Sequence, residues 1–283
     1  MTRFNTWGSV LNWYWDKKAK HQAQAKTFQT NARRITSYGG LSLPLSRMSK
    51  GSWWMELQSE LRSDNPTMSS STVNRIITAG TTVVKKTREA GLHSVDCPRF
   101  SQLPEGEARL TWFTKDQVDM MAHVAIDIFD RKDLADAILF SAYTGVRQGE
   151  LMKLKPCDVN SDVSLITVGG RANFTTKTNK VRTIPIHEKI KPLVTSRLTN
   201  QFLFKDDWVN KDQLYRLFKK VRKEVGISED YVWHCLRHSF GTWLGEVTHP
   251  RQIMSLMGHS SIDTSLRYTH ATDKAIRSAI SAI

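Results

Sequence analysis

The feature that most constrains this chain is the stretch from Tyr231 to Ala271. It contains the run H-C-L-R-H-S-F, followed by G-H-S-S-I-D-T-S-L-R-Y-T-H. If the first run is helical, His234 and Arg237 are three positions apart and share one helix face. One short stretch of sequence therefore contains an imidazole, a guanidinium and the phenol of Tyr268.

These residue types together favour chemistry on a phosphate. A guanidinium holds a phosphate through two parallel charge-assisted hydrogen bonds, and an imidazole donates to a phosphate oxygen or moves a proton. A tyrosine oxygen can become a covalent phosphoester link. The pattern therefore predicts phosphoryl transfer to tyrosine.

With the upstream run A-Y-T-G-V-R-Q-G-E-L-M-K-L, the two runs resemble the three signature boxes of tyrosine recombinases, the family of phage integrases and chromosome-dimer resolvases. The order and spacing of the boxes also agree, over roughly the C-terminal 60% of the chain. The resemblance implies a mainly α fold with a small antiparallel β-sheet (α+β): an N-terminal helical bundle plus a tyrosine-recombinase catalytic domain. It implies a site-specific DNA recombinase, or integrase, that forms a 3′-phosphotyrosine intermediate while integrating or excising a mobile element.

Matching the boxes residue by residue gives each catalytic group an expected role. Tyr268 attacks the scissile phosphate, and Arg147 and Arg237 neutralise its non-bridging oxygens. His234 and His259 complete the hydrogen bonds, and His234 is the candidate base. Tyrosine has an unperturbed pKa of about 10, so its attack near neutral pH needs a proton acceptor or the field of the arginines.

The remaining expected site residues come from a second run and from the flanks of the boxes. In T-T-K-T-N-K-V-R, Lys177 matches the family's catalytic lysine, which protonates the leaving 5′ oxygen. Lys180 and Arg182 are rivals in the same run. Glu150 is expected to orient a neighbouring backbone or side chain, and His238 to give structural support.

Metal and thiol chemistry are the alternatives inside these boxes. His234 and His238 are four apart, as in a helical metal site, but the Glu of H-E-x-x-H is missing and no third ligand has clear spacing. No cofactor is expected, neither metal nor ATP. Cys97, Cys157 and Cys235 are predicted to be ordinary reduced thiols, with the Cys235 side chain pointing away from the face of His234.

The charge of the chain indicates a polyanionic partner. Its 283 residues suit about two domains, and 41 Lys and Arg against 27 Asp and Glu give a formal charge of +14. A membrane surface is the rival partner, but a run of about 18 apolar residues and a signal segment are both missing from the sequence. The expected partner is double-stranded DNA, and the expected location is the cytoplasm of a bacterial host, at the nucleoid.

Residues 1–106 are predicted to form a helical domain that binds the core site, with helices near 7–15, 23–38, 53–62 and 70–90. The paired tryptophans at 13 and 15 and at 53 and 54 favour core packing over base stacking. Several cations are expected to contact the DNA backbone, with a merely solvated face as the alternative. These cations are Lys17, Lys18, Arg33, Arg34, Lys85, Lys86 and Arg88.

A linker with scattered prolines is predicted at about 93–110, and a catalytic domain with a C-terminal tail at 111–283. Thr114 and Gln117 form a capping-box pattern, and an apolar helix is expected over 134–144, ended by Gly145. Strands are expected at 164–169 and 174–186, and helices at 212–225 and 250–257. Since the first predicted helix starts near residue 7, no arm-site-binding module is expected ahead of the bundle.

The resemblance also implies partners. A monomer in solution would assemble into a homotetramer on DNA recombination sites, with accessory directionality or DNA-bending proteins as further partners. The apolar tail after Tyr268 would dock on a neighbouring subunit or pack on its own. Two other functions stay open: a type IB topoisomerase-like activity, and a non-catalytic DNA-binding protein of the same fold.

Overall fold

The computed structural model describes residues 4–98, 101–106, 110–176 and 180–269. Contacts between Cα atoms divide the chain into two compact units, Met1–Ala108 and Arg109–Ile283. The described residues are mostly helical and contain a small antiparallel sheet, so the predicted fold class is confirmed. Among these residues, no helix combines the length and apolar character needed to cross a membrane.

The N-terminal unit is a bundle of amphipathic helices, as the apolar spacing predicts. The four predicted helices begin and end within about two residues of the predicted bounds, and a short helix at 45–48 was not predicted. The helices are α1 (Trp7–Lys17), α2 (Ala25–Gly39), the short α3 (Leu45–Met48), α4 (Gly51–Asp64) and α5 (Ser70–Glu89).

Tryptophans contribute much of the core of this unit. Trp53 and Trp54 are buried and meet edge to face, with 4.8 Å between ring centroids. The indole N–H of Trp54 donates to the carbonyl of Met48 at 2.7 Å, which satisfies its one polar group. Trp13 and Trp15 are partly buried against the same core. The core interpretation is therefore confirmed for the pair at 53 and 54.

The C-terminal unit surrounds one central helix. Its helices are α6 (Lys115–Asp127), α7 (Lys132–Thr144), α8 (Gln148–Leu151), α9 (Lys191–Ser196), α10 (Lys211–Glu224), α11 (His234–Gly245), α12 (Pro250–Met257) and α13 (Asp263–Leu266), and its strands are β1 (Leu165–Val168) and β2 (Arg182–Pro185). Helix α7 packs against α6 on one side and α11 on another, and nearly all of its side chains are buried.

Local signals in the sequence fix both ends of this central region. The Thr114 side chain accepts from the amide of Gln117, and the Gln117 side chain accepts from the amide of Thr114, so the predicted capping box at α6 is confirmed. Helix α7 ends at Gly145, whose φ of 62° lies in the left-handed region. That turn directs the chain towards Arg147.

The sheet is shorter than the sequence pattern predicts. Strands β1 and β2 pair antiparallel, with Ile166 opposite Ile184 and Val168 opposite Arg182. The prediction of a strand from residue 174 was wrong, because Arg171 to Phe174 form a tight turn and β2 begins only at Arg182. Residues 177–179, where the hairpin tip was predicted, lie outside the described part of the chain.

Candidate active site

Arg237, in the first turn of α11, is a buried cation in the C-terminal unit. Its guanidinium donates to the carbonyl oxygen of Gly145 at 2.5 Å and also to the carbonyl oxygen of Met257. These carbonyls stand at the C-terminal ends of α7 and α12, where the partial negative charge of a helix favours a cation. Three helices, α7, α11 and α12, therefore fix the orientation of the Arg237 guanidinium.

Arg147 lies at the entry to α8 and is bound to Glu150. Its backbone amide donates to Glu150 Oε2 at 2.8 Å, and its guanidinium donates to Oε1 at 3.0 Å. The same carboxylate accepts from the two terminal nitrogens of Arg182, at 3.2 and 2.7 Å. Glu150 is thus a buried bridge between α8 and β2, and it holds the Arg147 side chain in place.

Electrostatics show that positive charge dominates this part of the site. Burial raises the pKa of Glu150, but the hydrogen bonds and charges of Arg182 and Arg147 outweigh it and lower the pKa to about 2. Burial, with the nearby charges of Arg147 and Arg182, lowers the pKa of Arg237 to about 9. Arg237 stays charged at pH 7, so three guanidiniums surround one carboxylate. An incoming phosphate would relieve this excess of positive charge.

Tyr268 follows α13 and returns to α11. Its side chain is buried, and its hydroxyl lies 2.7 Å from Nδ1 of His238. Its ring is nearly parallel to that of His259, with 6.0 Å between centroids. Burial raises the pKa of Tyr268, while the charges of Arg237, Arg267 and Arg147 act in the opposite direction. The phenol therefore stands within the field of both expected phosphate-binding arginines.

His259 is buried just after α12 and is held by Ser265. Its Nδ1 lies 2.8 Å from the Ser265 hydroxyl. If that hydroxyl donates, Nε2 carries the ring proton and can donate to another acceptor. Burial and the charges of Arg237 and Arg147 lower the pKa of His259 to about 4, so the ring is neutral at pH 7. A neutral imidazole of this tautomer suits a hydrogen bond to a phosphate oxygen.

The histidine that is bonded to the phenol is His238, which was predicted to give structural support. His234, the base predicted from sequence, is the exposed first residue of α11. Its ring stacks edge-on against His238, with 4.8 Å between centroids. Burial and the charges of His234, Arg237 and Arg267 lower the pKa of His238 to about 4. The ring bonded to Tyr268 is therefore neutral at pH 7.

The structure describes two of the three cations in the predicted lysine run. Lys177 lies outside the described residues. Lys180 donates to the backbone carbonyl of His259 at 3.1 Å, which places it beside the site. Arg182 is buried in an ion pair with Glu150, so its side chain does not face solvent. Because Arg182 pairs with Glu150, Lys177 and Lys180 are the two amines to be tested.

Thiol and metal chemistry gain no support within the described chain. Cys235 is buried, its sulfur lies 3.9 Å from the carbonyl oxygen of Asp230, and burial raises its pKa, which disfavours the thiolate. Across residues 4–98, 101–106, 110–176 and 180–269, no three His, Cys, Asp or Glu side chains form a metal-binding group.

The cations predicted to bind DNA in the N-terminal unit lie on three helices. Lys85, Lys86 and Arg88 are exposed on the last turns of α5, and Lys86 and Arg88 pair with Glu89 and Asp96 respectively. Lys17 and Lys18 end α1, and Arg33 and Arg34 lie on α2.

Several of these cations lie near the Glu89 carboxylate. A hydrogen bond from Lys86 lowers its pKa most, and the charges of Lys18 and Lys85 contribute as well. Arg33, in contrast, lines a groove between α1 and α2 beside Trp15.

Sequence reasoning missed two groups that orient the site, Arg182 as the partner of Glu150 and Ser265 as the partner of His259. A signal existed for Arg182, since it shares the inward face of β2 with Ile184, two positions on. A buried cation on such a face requires a buried anion. Ser265 gave no comparable signal, because its bond depends on a turn that only the fold creates.

Comparison with known proteins agrees with this geometry. The profile of the phage integrase family matches residues 111–275, more than half of the chain. The chain belongs to this family of tyrosine recombinases. The family match spans Arg147, Arg237, His259 and Tyr268.

Individual integrases and recombinases extend the match. Tyrosine recombinase XerA of Pyrococcus horikoshii is 35% identical over 179 residues, 59% of each chain. The integrase of Escherichia phage P2 is 25% identical over 276 residues, 95% of this chain and 74% of that one. Several curated relatives, XerA among them, are matched over only 47% to 59% of their length.

The fold itself recurs in a solved integrase. A lambda integrase tetramer bound to a Holliday junction superposes with a TM-score of 0.75 at 16% identity. The superposition covers 95% of this chain and 79% of the lambda chain. The similarity shows that the two chains share a fold.

Proposed function

We propose that this chain is a site-specific DNA recombinase that cuts and rejoins DNA through a 3′-phosphotyrosine intermediate. The observation that carries the proposal is the position of Tyr268, a buried phenol within the field of Arg147 and Arg237 and bonded to a neutral imidazole. Family membership supports the same chemistry. The relatives XerA and phage P2 integrase are named as a recombinase and an integrase, which favours integration or excision of a mobile element.

In the proposed cleavage step, the Tyr268 oxygen forms a bond to the scissile phosphorus while the bond from phosphorus to the 5′ oxygen breaks. The phenol loses its proton to a base, and the leaving 5′ oxygen gains one from Lys177. Arg147 and Arg237 neutralise the non-bridging oxygens as charge grows there, and His259 donates a further hydrogen bond. The phosphoester energy is retained in the new link, so rejoining needs neither ATP nor metal.

The proposed substrate is duplex DNA with recombination sites, bound by a homotetramer that assembles from monomers. The lambda integrase tetramer on a Holliday junction supports this arrangement by analogy of fold. Phosphate contacts from the cations near Glu89 in the N-terminal unit would add affinity that falls with salt. Accessory directionality or DNA-bending proteins are further proposed partners.

The test is capture of a covalent adduct on a nicked suicide duplex. The core site can be selected from genomic fragments by binding, and the reaction is run in EDTA without ATP. We expect the wild type to remain attached to DNA after denaturation and Tyr268→Phe to leave no adduct. DNA binding without any adduct under metal-free conditions would instead favour the non-catalytic DNA-binding protein.

A second measurement separates recombination from topoisomerase activity. The wild type is incubated with two different duplexes that each carry the core site, and with supercoiled plasmid in parallel. We expect joined products that contain one arm from each duplex. Relaxation of the plasmid without any joining would assign the chain a type IB topoisomerase-like activity.

The choice of leaving-group acid is tested with a 5′-bridging phosphorothiolate substrate, whose sulfur leaves without needing a proton. We expect Lys177→Ala to lose about 10²-fold or more on ordinary DNA and to recover on the sulfur substrate. Lys180→Ala should lose less and recover nothing, because its amine supports the His259 backbone. The opposite pattern would move the role to Lys180.

A further inference from the structure

One face of α11 is shaped around Tyr268. His238, Gly241 and Gly245 follow one another at spacings of three and four, and so line the same side of the helix. The His238 ring reaches the phenol oxygen at 2.7 Å. Gly241 lies against the ring of Tyr268, and Gly245 lies against its backbone carbonyl.

The glycine contacts leave no space for a side chain. A Cβ atom placed on Gly241 would lie 2.8 Å from Cε1 of the Tyr268 ring, and one placed on Gly245 would lie 2.0 Å from the Tyr268 carbonyl oxygen. Real Cβ atoms do not approach other atoms so closely. Glycine at these positions permits the close approach of Tyr268, whose oxygen lies at His238.

From this geometry we propose that the His238, Gly241 and Gly245 face of α11 is a seat for Tyr268 of the same chain, and that His238 accepts the phenol proton during attack. The inference rests on the proposed function and names a residue for one of its steps. The proton passes from Tyr268 Oη to His238 Nδ1 as the bond from Oη to phosphorus forms. The seat aligns the oxygen before DNA arrives, so less entropy is lost in reaching the transition state.

The charge around His238 keeps its ring unprotonated before a phosphate binds. Burial and the charges of His234, Arg237 and Arg267 keep its pKa near 4, so its lone pair is available at neutral pH. A phosphate bound between Arg147 and Arg237 would bring negative charge that raises the basicity of the ring. The groups that face the His238–Tyr268 pair are therefore His234, Arg237, Arg267, His259 and Arg147.

The test is the pH dependence of single-turnover adduct formation for His238→Asn. The Asn oxygen replaces Nδ1 as a hydrogen-bond acceptor but cannot take the proton. We expect a loss of about 10²-fold or more near neutral pH. The variant's rate should rise about tenfold per pH unit between about pH 6 and 8, because only phenolate formed in advance can attack. The wild-type rate should change much less, and His234→Asn should keep the wild-type slope.

A 5′-bridging phosphorothiolate substrate adds a second readout. It relieves a missing leaving-group acid, so it should not restore His238→Asn. Thermal melting and DNA binding of each variant check that it folds. If the wild type forms a Tyr268-dependent adduct while His238→Asn keeps the wild-type rate and slope, the inference is overturned but the proposed function stands. A wild type that forms no adduct overturns the proposed function first.

The seat is tested independently by Gly245→Ala, with Gly51→Ala as the control. A Cβ at Gly51 meets no atom within 4 Å, so that substitution has room in α4. We expect Gly245→Ala to slow adduct formation at least tenfold while DNA binding is retained, and Gly51→Ala to match the wild type. Wild-type cleavage by a folded Gly245→Ala variant would contradict the seat.

Discussion

The two halves of the candidate site are held in different ways. The guanidinium half, formed by Arg147, Arg182, Arg237 and Glu150, is fixed by ion pairs and by donors to helix-end carbonyls. The tyrosine half, formed by Tyr268 and the histidines around it, is held by neutral hydrogen bonds and close packing. The rings of His238 and His259 are neutral at pH 7, because burial and nearby positive charges lower their pKa values to about 4.

This difference follows from the cost of burying charge. A buried cation requires an anion or several acceptors, so the guanidinium half is held together by Glu150 and by helix-end carbonyls. A neutral phenol beside a neutral imidazole needs only shape and one hydrogen bond. Under the proposed function, substitutions in the first half act through charge and fork geometry, and those in the second act through alignment and proton transfer.

The largest expected effect is a contrast between the two arginines. Arg237→Lys should lower the cleavage rate about 10³-fold, because an ammonium cannot reach the two carbonyls that orient the fork and still bind phosphate. Arg147→Lys should lose about 10²-fold or less, since Arg147 is partly exposed and has room to adapt. Single-turnover adduct formation gives both rates. Equal losses in the two variants would contradict the idea that the buried Arg237 is more sensitive to substitution than the partly exposed Arg147.

The second prediction concerns stability and pH. The pKa of Glu150 is about 2 in the folded chain and near its ordinary value of 4.5 when unfolded. The ion pair therefore contributes stability above about pH 4.5 that is lost as pH falls towards 2, by about 3 kcal/mol in all. Glu150→Gln should be less stable than the wild type at pH 7, with a gap that narrows as pH falls through this window.

Urea unfolding between about pH 3 and 7 measures that gap. The matched control is Glu188→Gln, because the Glu188 side chain is highly exposed and its nitrogen partner on Lys191 is 3.9 Å away. It should change the unfolding free energy by less than about 0.5 kcal/mol. A Glu150→Gln curve that runs parallel to the wild type at every pH would argue against the ion pair.

The smallest expected effect comes from the tyrosine half. Ser265→Ala removes the hydroxyl that orients His259 and should cost about 1 kcal/mol, or about fivefold in adduct formation. Ser260→Ala removes an exposed hydroxyl beside the same histidine and should match the wild type. If both variants react at the wild-type rate, Ser265 does not position His259 for the reaction.

Local sequence signals predicted much of the fold. The capping box at Thr114, the stop at Gly145 and the helix over 250–257 all have causes within a few residues of chain. The strand from 174 failed because alternation of residue types does not reveal a turn at Arg171 to Phe174. Strand pairing depends on tertiary neighbours more than helix formation does.

For the site, the sequence by itself determined which chemical groups are available and which share a helix face, because helix periodicity is a local property. Tertiary structure alone decided their partners. Glu150 meets Arg182, Arg237 meets the ends of α7 and α12, and Tyr268 meets His238 across 30 positions of chain. Buried charged and polar groups need partners, and the partners come from segments that only the packing of the fold brings together. A local sequence pattern does not contain that information.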